Sequence, residues 1–198
     1  SLGAIYGINS TNQGSLPEFH QAENLAFLGR NWFADPQLAG GGALIDHTVH
    51  LADLFRWLFE AEVAEVYAQT NTIIGRDKTS VDTGGLVMLT FHNGMFASID
   101  CSWSKPAAYP TWGGLALDII GTNGVATADA FKQRIAVYAH KPRWAFWGSD
   151  ANAGMIRDFL DAVRDKRAPA VTGIDGLRAT EIVAAAYQSA KTGEPVKI

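Results

Sequence analysis

The chain has 198 residues, 47% of them hydrophobic and 18% charged, which is the composition of one globular domain and excludes a disordered or fibrous protein. Its 16 basic and 20 acidic residues give a net charge of -4, and the basic residues are scattered, so we expect no nucleic-acid partner. One cysteine excludes an internal disulfide, and with no signal-like start and no apolar run of about 20 residues we expect a cytoplasmic protein without a membrane span.

The first half of the chain predicts a strand, a long loop, a helix and two further strands. Residues 2–10 alternate like a strand, and residues 11–42 are rich in Asn, Gly and Pro, which predicts a loop of a length that is usually functional. The pattern then predicts a helix at 43–60 and strands at 63–74 and 81–91.

Two Asn-Gly pairs predict hairpins in the middle of the chain. Asn93-Gly94 lies between two β-rich runs, and both central residues of a type I′ turn need positive φ, which these two residue types tolerate. Asn123-Gly124 repeats the signal. The apolar face of the return strand after the first turn consists of Met95, Ala97, Ile99, Cys101 and Trp103. This alternation predicts a sheet that is packed on one side.

The last part of the chain predicts a strand at 135–139 and helices at 152–164 and 175–192. The order of elements favours one α+β domain over residues 1–198, with an open, mostly antiparallel mixed sheet and its helices on one face. The other face must be solvated or meet a partner, and the apolar residues that could lie there are Tyr67, Phe91 and Phe96. We therefore expect a homo-oligomer that forms through the sheet.

The stretch AGGGALIDHTVHLADLFRW, residues 39–57, places glycines before the predicted helix. Gly40 and Gly42 fit a dinucleotide fingerprint, but Ile45 occupies the third glycine position and the preceding segment is a loop. A P-loop is excluded because no Gly-Lys-Ser/Thr follows. Two interpretations remain: tight entry into a packed helix, or close approach of a ligand to the backbone.

Asp46, His50, Asp53 and Trp57 share one stripe of this otherwise apolar helix. One interpretation is structural, with Asp46 at the helix dipole, Asp53 paired with Arg56 and His50 in the core. A second is a metal ion shared by Asp46 and His50, for which no third ligand stands in an obvious motif. The third is acid/base chemistry, in which His50 exchanges a proton and Asp46 orients it or the substrate.

Two segments, WFADPQLAGGGALIDHTVHLADLFRW and the ending VTGIDGLRATEIVAAAYQSAKTGEPVKI, resemble the C-terminal domain of the glucose-fructose oxidoreductase / inositol dehydrogenase (Gfo/Idh/MocA) family, and the resemblance runs over essentially the whole chain. It implies a dihydrodipicolinate-reductase-like fold whose open sheet forms a homodimer or homotetramer. It also implies an N-terminal Rossmann domain that binds NAD or NADP. That domain is absent from this chain, and the family's E-K-P lysine has no counterpart in SKP at 104–106 or HKP at 140–142.

By position, Asp46 and His50 match the catalytic Asp and His of the family. The resemblance implies hydride transfer between a secondary alcohol of a sugar or cyclitol and a nicotinamide, with His50 as acid/base. The residues expected to line the substrate site are Asn12, Trp32, Asp35 and His47. On its own the chain is expected to bind no cofactor or metal and to be inactive. The alternatives are a stand-alone carbohydrate-binding or assembly domain, and half of an NAD-dependent glycosidase of the same family.

Overall fold

A computed structural model describes residues 1–17, 30–106, 108–111, 113–141, 143–148 and 150–198. Most of the first half of the predicted loop, residues 18–29, lies outside the described residues. Within them the chain forms one mixed sheet that carries two long helices on one face, which confirms the predicted α+β class. No helix in these ranges is long and apolar enough to cross a bilayer.

The described strands form one nine-stranded sheet in the order β8-β7-β6-β5-β1-β4-β3-β2-β9. The strands are β1 Ile5–Gly14, β2 Val63–Asn71, β3 Gly84–Phe91, β4 Phe96–Ser102, β5 Gly113–Gly121, β6 Gly124–Asp129, β7 Arg134–Tyr138, β8 Arg143–Phe146 and β9 Val196–Lys197. β1 runs parallel to β4, and the other neighbouring strands pair antiparallel. The central position of β1 brings the end of this strand to the helix that carries the candidate site.

The helices are α1 Pro36–Ala39, α2 Ala43–Phe59, α3 Ala151–Asp165 and α4 Gly173–Thr192, with a 3-10 turn at Arg30–Ala34. α2 and α4 cover one face of the sheet and bury their apolar sides against it. Fully buried members of this core include Leu51, Phe55, Val66, Val87 and Ile99. Because α2 is held along its apolar side, its polar stripe is turned away from the sheet.

The predicted packing of the first hairpin is confirmed, but its turn differs from the prediction. All five apolar-face residues of the return strand are at most 2% exposed. Of the Asn93-Gly94 pair only Gly94 has a positive φ, at 85°, so the turn is not type I′. In the second hairpin β5 ends at Gly121 and pairs with Gly124, so the two loop residues are 122 and 123.

Phe91 does not lie on the open face of the sheet, because it is 2% exposed and packs in the core. It has the same strand phase as Val87 and Leu89, which are also buried. Phe96, in contrast, is 48% exposed on the open face, where it makes an edge contact with Tyr6 at a centroid distance of 6.0 Å. The open face is therefore apolar, but with a different set of residues from the one expected.

α3 does not bury its apolar stripe within the described chain. Met155, Ile156, Phe159, Leu160 and Val163 recur at helical spacing as predicted, yet their exposed fractions lie between 53% and 64%. Asp150 caps the helix, since its side chain accepts hydrogen bonds from the amides of the first turn. A capped helix with an exposed apolar stripe is typical of a surface that another part of a protein covers.

Candidate functional site

The start of α2 is held by Asp82, which lies in the segment before β3. Its side-chain oxygens accept hydrogen bonds from the amides of Gly42 at 3.0 Å and Leu44 at 2.7 Å. Its backbone carbonyl accepts from the amide of Ala43 at 2.9 Å. The Tyr187 hydroxyl of α4 donates to Asp82 Oδ1 at 2.8 Å. The first amides of the helix, which commonly bind an anion, are therefore bound to a carboxylate of the protein itself.

The glycines make this capping arrangement possible. A Cβ atom at Gly41 would come within 2.0 Å of the Tyr187 hydroxyl, and one at Gly42 within 2.0 Å of the Asp82 carbonyl oxygen. Any larger residue would have to displace the cap. The structure thus favours tight entry into a packed helix over close approach of a ligand, and this helix start does not fit a pyrophosphate.

Asp46, one turn into α2, is oriented by a buried tryptophan. Trp103 follows directly after β4, is 1% exposed, and donates from its indole Nε1 to Asp46 Oδ2 at 2.9 Å. The Asp46 side chain retains 24% of its exposure, so the carboxylate lies at the surface with one oxygen bound inside. Asp46 is thus fixed on its buried side by the Trp103 indole and accessible on its exposed side.

His47 lies beneath Asp46 and is 5% exposed. Its Nε2 is 3.6 Å from Asp46 Oδ2, beyond hydrogen-bond distance, and has no hydrogen-bond partner among the described residues. Asn12, on β1 and 7% exposed, donates from Nδ2 to the His47 backbone carbonyl at 3.0 Å. Asn12, Asp46 and His47 are therefore brought together at the start of α2, with Asn12 and His47 buried and Asp46 partly exposed.

Burial lowers the pKa of His47 below its ordinary value of 6.5. The charge of Asp46 acts in the opposite direction and raises this pKa, whereas nearby His50 lowers it. The removal of the ring from water is the largest of these causes. His47 is thus a neutral imidazole at neutral pH.

Because His47 stays neutral in the folded chain, we expect the unfolding free energy to fall as the pH drops below about 6.5. Because the folded-state pKa is lowered, the unfolded chain binds a proton in a range in which the folded chain does not. Within that range the cost is at most about 1.4 kcal/mol of unfolding free energy per pH unit. Urea denaturation between about pH 7 and about pH 5 measures it. The His47→Gln variant should lose this part of the slope, and the exposed-site variant His92→Gln should keep it; equal slopes for the two variants would contradict the assignment.

His50 lies on the exposed edge of α2, beside a shallow groove between α2 and α4 with a volume of about 390 Å³. The groove is lined by Val49, His50, Asp53, Val171, Gly176, Ala179 and Thr180. The Asp53 carboxylate makes a long ion pair with Arg56, at 4.0 Å, because the guanidinium binds Glu62 more closely, at 2.7 Å. Asp53 is therefore not drawn away from the groove wall. The stripe of Asp46, His50 and Asp53 is therefore accessible in the described chain.

Trp32 and Asp35 make no hydrogen bond or ion pair with Asp46, His50 or Asp53 within the described residues. Trp32 is 46% exposed and stacks on Phe33 with the ring centroids 4.2 Å apart. Asp35 caps the short helix α1, accepting from the amide of Gln37 at 2.8 Å. Phe33 packs against the small apolar cluster that contains Trp103, so this loop borders the site.

The hypothesis of a metal ion shared by Asp46 and His50 gains no further ligand in the part of the chain that the structure describes. There, no three His, Cys, Asp or Glu side chains are close enough to share an ion.

Cys101 is fully buried, and burial raises the pKa of its thiol to about 12, so this side chain is a packing residue.

Trp103 and Asp82 are the residues that the sequence did not identify as part of the site. Trp103 carried a partial signal, because it extends the buried alternation of β4. Asp82 carried none, since it caps a helix whose first residue lies about forty positions earlier and no local pattern links the two.

Comparison with known proteins gives consistent results. The family profile described as GFO/IDH/MocA C-terminal domain matches residues 1–127. An uncharacterized oxidoreductase, YrbE of Bacillus subtilis, is 31% identical over 170 residues, which are 80% of this chain and 48% of that protein. Myo-inositol 2-dehydrogenase of Thermotoga maritima is 26% identical over 170 residues, 80% of this chain and 49% of that protein. The chain thus spans about half the length of these relatives.

A solved structure of GenD2, from gentamicin A biosynthesis and in complex with NAD, has the same fold. It superposes with a TM-score of 0.76 at 26% identity and covers 99% of this chain and 56% of GenD2. The agreement of profile, relatives and fold over most of the chain leaves one assignment: the chain belongs to the GFO/IDH/MocA family and corresponds to its C-terminal domain.

Proposed function

We propose that this chain is the substrate-binding and assembly half of an NAD(P)-dependent oxidoreductase that acts on a secondary alcohol or ketone of a sugar or cyclitol. The observation that carries the proposal is the accessible stripe of Asp46 and His50 on α2, with Asp46 held from inside by Trp103. Myo-inositol 2-dehydrogenase, a relative at 26% identity, acts on a cyclitol by its name, which supports the substrate class.

The proton of the reacting hydroxyl goes to His50. A hydroxyl bound in the groove between α2 and α4 lies beside the His50 imidazole, which accepts the proton as the carbonyl forms and returns it in the reverse direction. Asp46, four residues earlier on the same helix face, binds the substrate by accepting a hydrogen bond from a hydroxyl. The hydride from the same carbon goes to the nicotinamide when the cofactor is bound.

The cofactor is bound mainly by a domain outside this chain. The glycine-rich start of α2 does not fit the pyrophosphate, because its amides are bound to Asp82 and an anion would meet that carboxylate. On this proposal the isolated chain neither binds NAD(P) nor turns over. The exposed apolar stripe of α3 supports docking of another domain, since it is the kind of surface that a second domain covers.

The open face of the sheet is the proposed site of homo-oligomerisation, as a dimer or tetramer. Its exposed apolar residues lie on adjacent strands and include Tyr6, Leu86, Met88 and Phe96, each about half exposed. Tyr67 pairs directly with Met88 across β2 and β3 and extends the patch. A contiguous apolar face of this kind is costly to leave in water and is self-complementary across a two-fold axis.

A charge on this face is expected to dissociate the oligomer. The Met88→Glu variant places a carboxylate at the centre of the patch, where burial against a second copy would leave it unpaired. The native mass, measured by light scattering after size exclusion, should fall to that of one subunit. Gln188→Glu, the same one-unit change in charge on the exposed side of α4, should leave the mass unchanged. A Met88→Glu protein with the native mass would contradict the interface.

The activity is tested with the polypeptide that carries this chain together with its cofactor-binding domain. We expect reduction of NAD or NADP, followed by nicotinamide absorbance, with one or more members of a panel of inositols, aldoses and their lactones. No reduction with any polyol, but release of a sugar from a glycoside panel with NAD present, would replace the dehydrogenase proposal with the glycosidase alternative. Saturable binding of NADH to the isolated chain would contradict the proposal that another domain binds the cofactor.

A further inference from the structure

We propose that Trp103 and His47 are positioning residues that hold the Asp46 carboxylate by its Oδ2 atom, so that Oδ1 is the oxygen that binds the substrate hydroxyl. This rests on the proposed function of Asp46 and deepens it. It assigns to two buried side chains the orientation of the group that meets the substrate. Both lie next to the same oxygen: Trp103 approaches it from the residue after β4, and His47 from α2 itself.

Trp103 is fixed well enough to serve as a rigid donor. The indole is 1% exposed, in a small apolar cluster with Leu16, Ala43 and Val81. Its backbone amide donates to the Thr83 carbonyl at 2.8 Å, which fixes the main chain beyond the end of β4. The indole N–H donates to Asp46 Oδ2 at 2.9 Å. The ring is held in this orientation because it could not turn without opening a cavity in the cluster. A hydrogen bond to a carboxylate is stronger than one between neutral groups.

His47 offers a second donor to the same oxygen. Its Nε2 is buried, finds no hydrogen-bond partner in the part of the chain that the structure describes, and lies 3.6 Å from Oδ2. A buried unpaired polar atom costs about 1–3 kcal/mol, so such an atom calls for an explanation. A shift of about half an ångström would bring the pair within N–H···O distance. The adjacent carboxylate favours the tautomer that carries the proton on Nε2.

The His47 ring packs against the end of β1. A Cβ atom at Gly14 would lie 3.0 Å from both Cε1 and Nε2, so the missing side chain at the end of β1 makes room for the imidazole. Asn12 binds the His47 carbonyl from the same strand. The ring is therefore held next to Oδ2 by β1.

The difference in burial assigns His47 a role through Asp46 rather than a direct contact with substrate. His47 is 5% exposed, whereas the Asp46 side chain is 24% exposed. The carboxylate is therefore the more accessible of the two side chains. The burial that lowers the pKa of His47 also keeps the ring neutral, so it can act as a donor without adding a charge beneath the site.

A carboxylate held by one oxygen presents the other in a defined direction, and this affects catalysis more than binding. A freely rotating carboxylate can still bind a hydroxyl, but it holds the reacting carbon less often in the reactive position. Loss of the donors should therefore lower kcat with little change in KM. A side chain that only stabilises the fold would change neither at temperatures well below unfolding.

The first arm of the test uses Trp103→Phe in the two-domain protein, which keeps an aromatic ring in the cluster but removes the N–H and part of the ring volume. We expect kcat to fall about tenfold, because one hydrogen bond to a charged group is lost. In an Asp46→Ala background the same change should alter kcat less than about twofold, since the partner is gone. Trp147→Phe, an exposed tryptophan after β8, is the matched control and should leave kcat unchanged.

The second arm compares His47→Gln with His47→Leu. Glutamine can place an amide donor near the position of Nε2, whereas leucine fills similar space without one. We expect His47→Gln to retain kcat within about threefold and His47→Leu to lose about tenfold, again without a large change in KM. Equal losses in both variants would overturn the role of His47.

A third arm observes the hydrogen bond itself and needs no turnover. With 15N-labelled tryptophan, the indole resonance that disappears in Trp103→Phe identifies Trp103, and its proton should move upfield in Asp46→Ala. An unmoved resonance, or a Trp103→Phe loss of equal size with and without Asp46, overturns the positioning role while leaving Asp46 in the site. Unchanged turnover in Asp46→Ala alone would instead remove the proposed function.

Discussion

Replacing His50 with Ala in the two-domain protein is expected to lower kcat by about a hundredfold or more. A positioned proton acceptor contributes about 10²–10⁴ to the rate of a proton transfer, and His50 is the imidazole that lines the groove. Because its ring is on the exposed edge of α2, the substitution removes no core packing and should leave the fold unchanged. Steady-state kinetics with the best polyol, followed by nicotinamide absorbance, measures the effect.

His92→Ala is the matched control, since His92 is also exposed but lies in the turn between β3 and β4. It should retain the wild-type rate. The unfolding free energy of both variants should stay within about 0.5 kcal/mol of the parent chain. If His50→Ala turned over at the parent rate, His50 would be a surface residue, and acid/base chemistry would have to come from outside this chain.

The features that could be predicted from the sequence depend on local periodicity. The helical repeat was sufficient to put Asp46 and His50 on one face of α2, and the alternation of β4 was sufficient to bury Ile99 and Trp103. Both follow from the fixed geometry of a single element. For the same reason the α+β class and most element boundaries agree with the structure within a few residues.

The features that could not be predicted are contacts between distant segments. The cap from Asp82 to α2 and the hydrogen bond from Trp103 to Asp46 each join residues about forty to sixty positions apart, which no local pattern encodes. The exposure of the α3 stripe could not be predicted either. Spacing shows that Phe159 and its neighbours share a face, but what covers that face depends on a partner that local spacing does not specify.

Replacing Asp82 with Ala is expected to be the most destabilising single change in the site, at about 2–4 kcal/mol of unfolding free energy. Its carboxylate accepts three hydrogen bonds, from the amides of Gly42 and Leu44 and from the Tyr187 hydroxyl. The loss of a helix cap costs up to about 2 kcal/mol, and the unpaired hydroxyl and amides add to it. Urea denaturation of the chain measures the change.

The loss of unfolding free energy in Asp82→Ala shows whether Asp82 acts as a helix cap or only as one negative charge among others. Asp77→Ala removes an exposed acidic residue from the loop before Asp82 and should change the unfolding free energy by less than about 0.5 kcal/mol. Tyr187→Phe removes only the hydroxyl from the network and should cost about 1 kcal/mol. Equal stability of the Asp82→Ala and Asp77→Ala chains would contradict the cap.

The same substitution links stability to function, because the cap lies only a few residues before Asp46. Without the Asp82 carboxylate the amides of Gly42 and Leu44 lose their side-chain acceptor, and we expect the first turn of α2 to fray and Asp46 to leave its fixed distance from the Trp103 indole. Asp82→Asn keeps one oxygen acceptor and should lie between the parent chain and Asp82→Ala both in stability and in kcat. If Asp82→Asn matched the parent in kcat while losing stability, the orientation of Asp46 would depend on Trp103 and His47 alone.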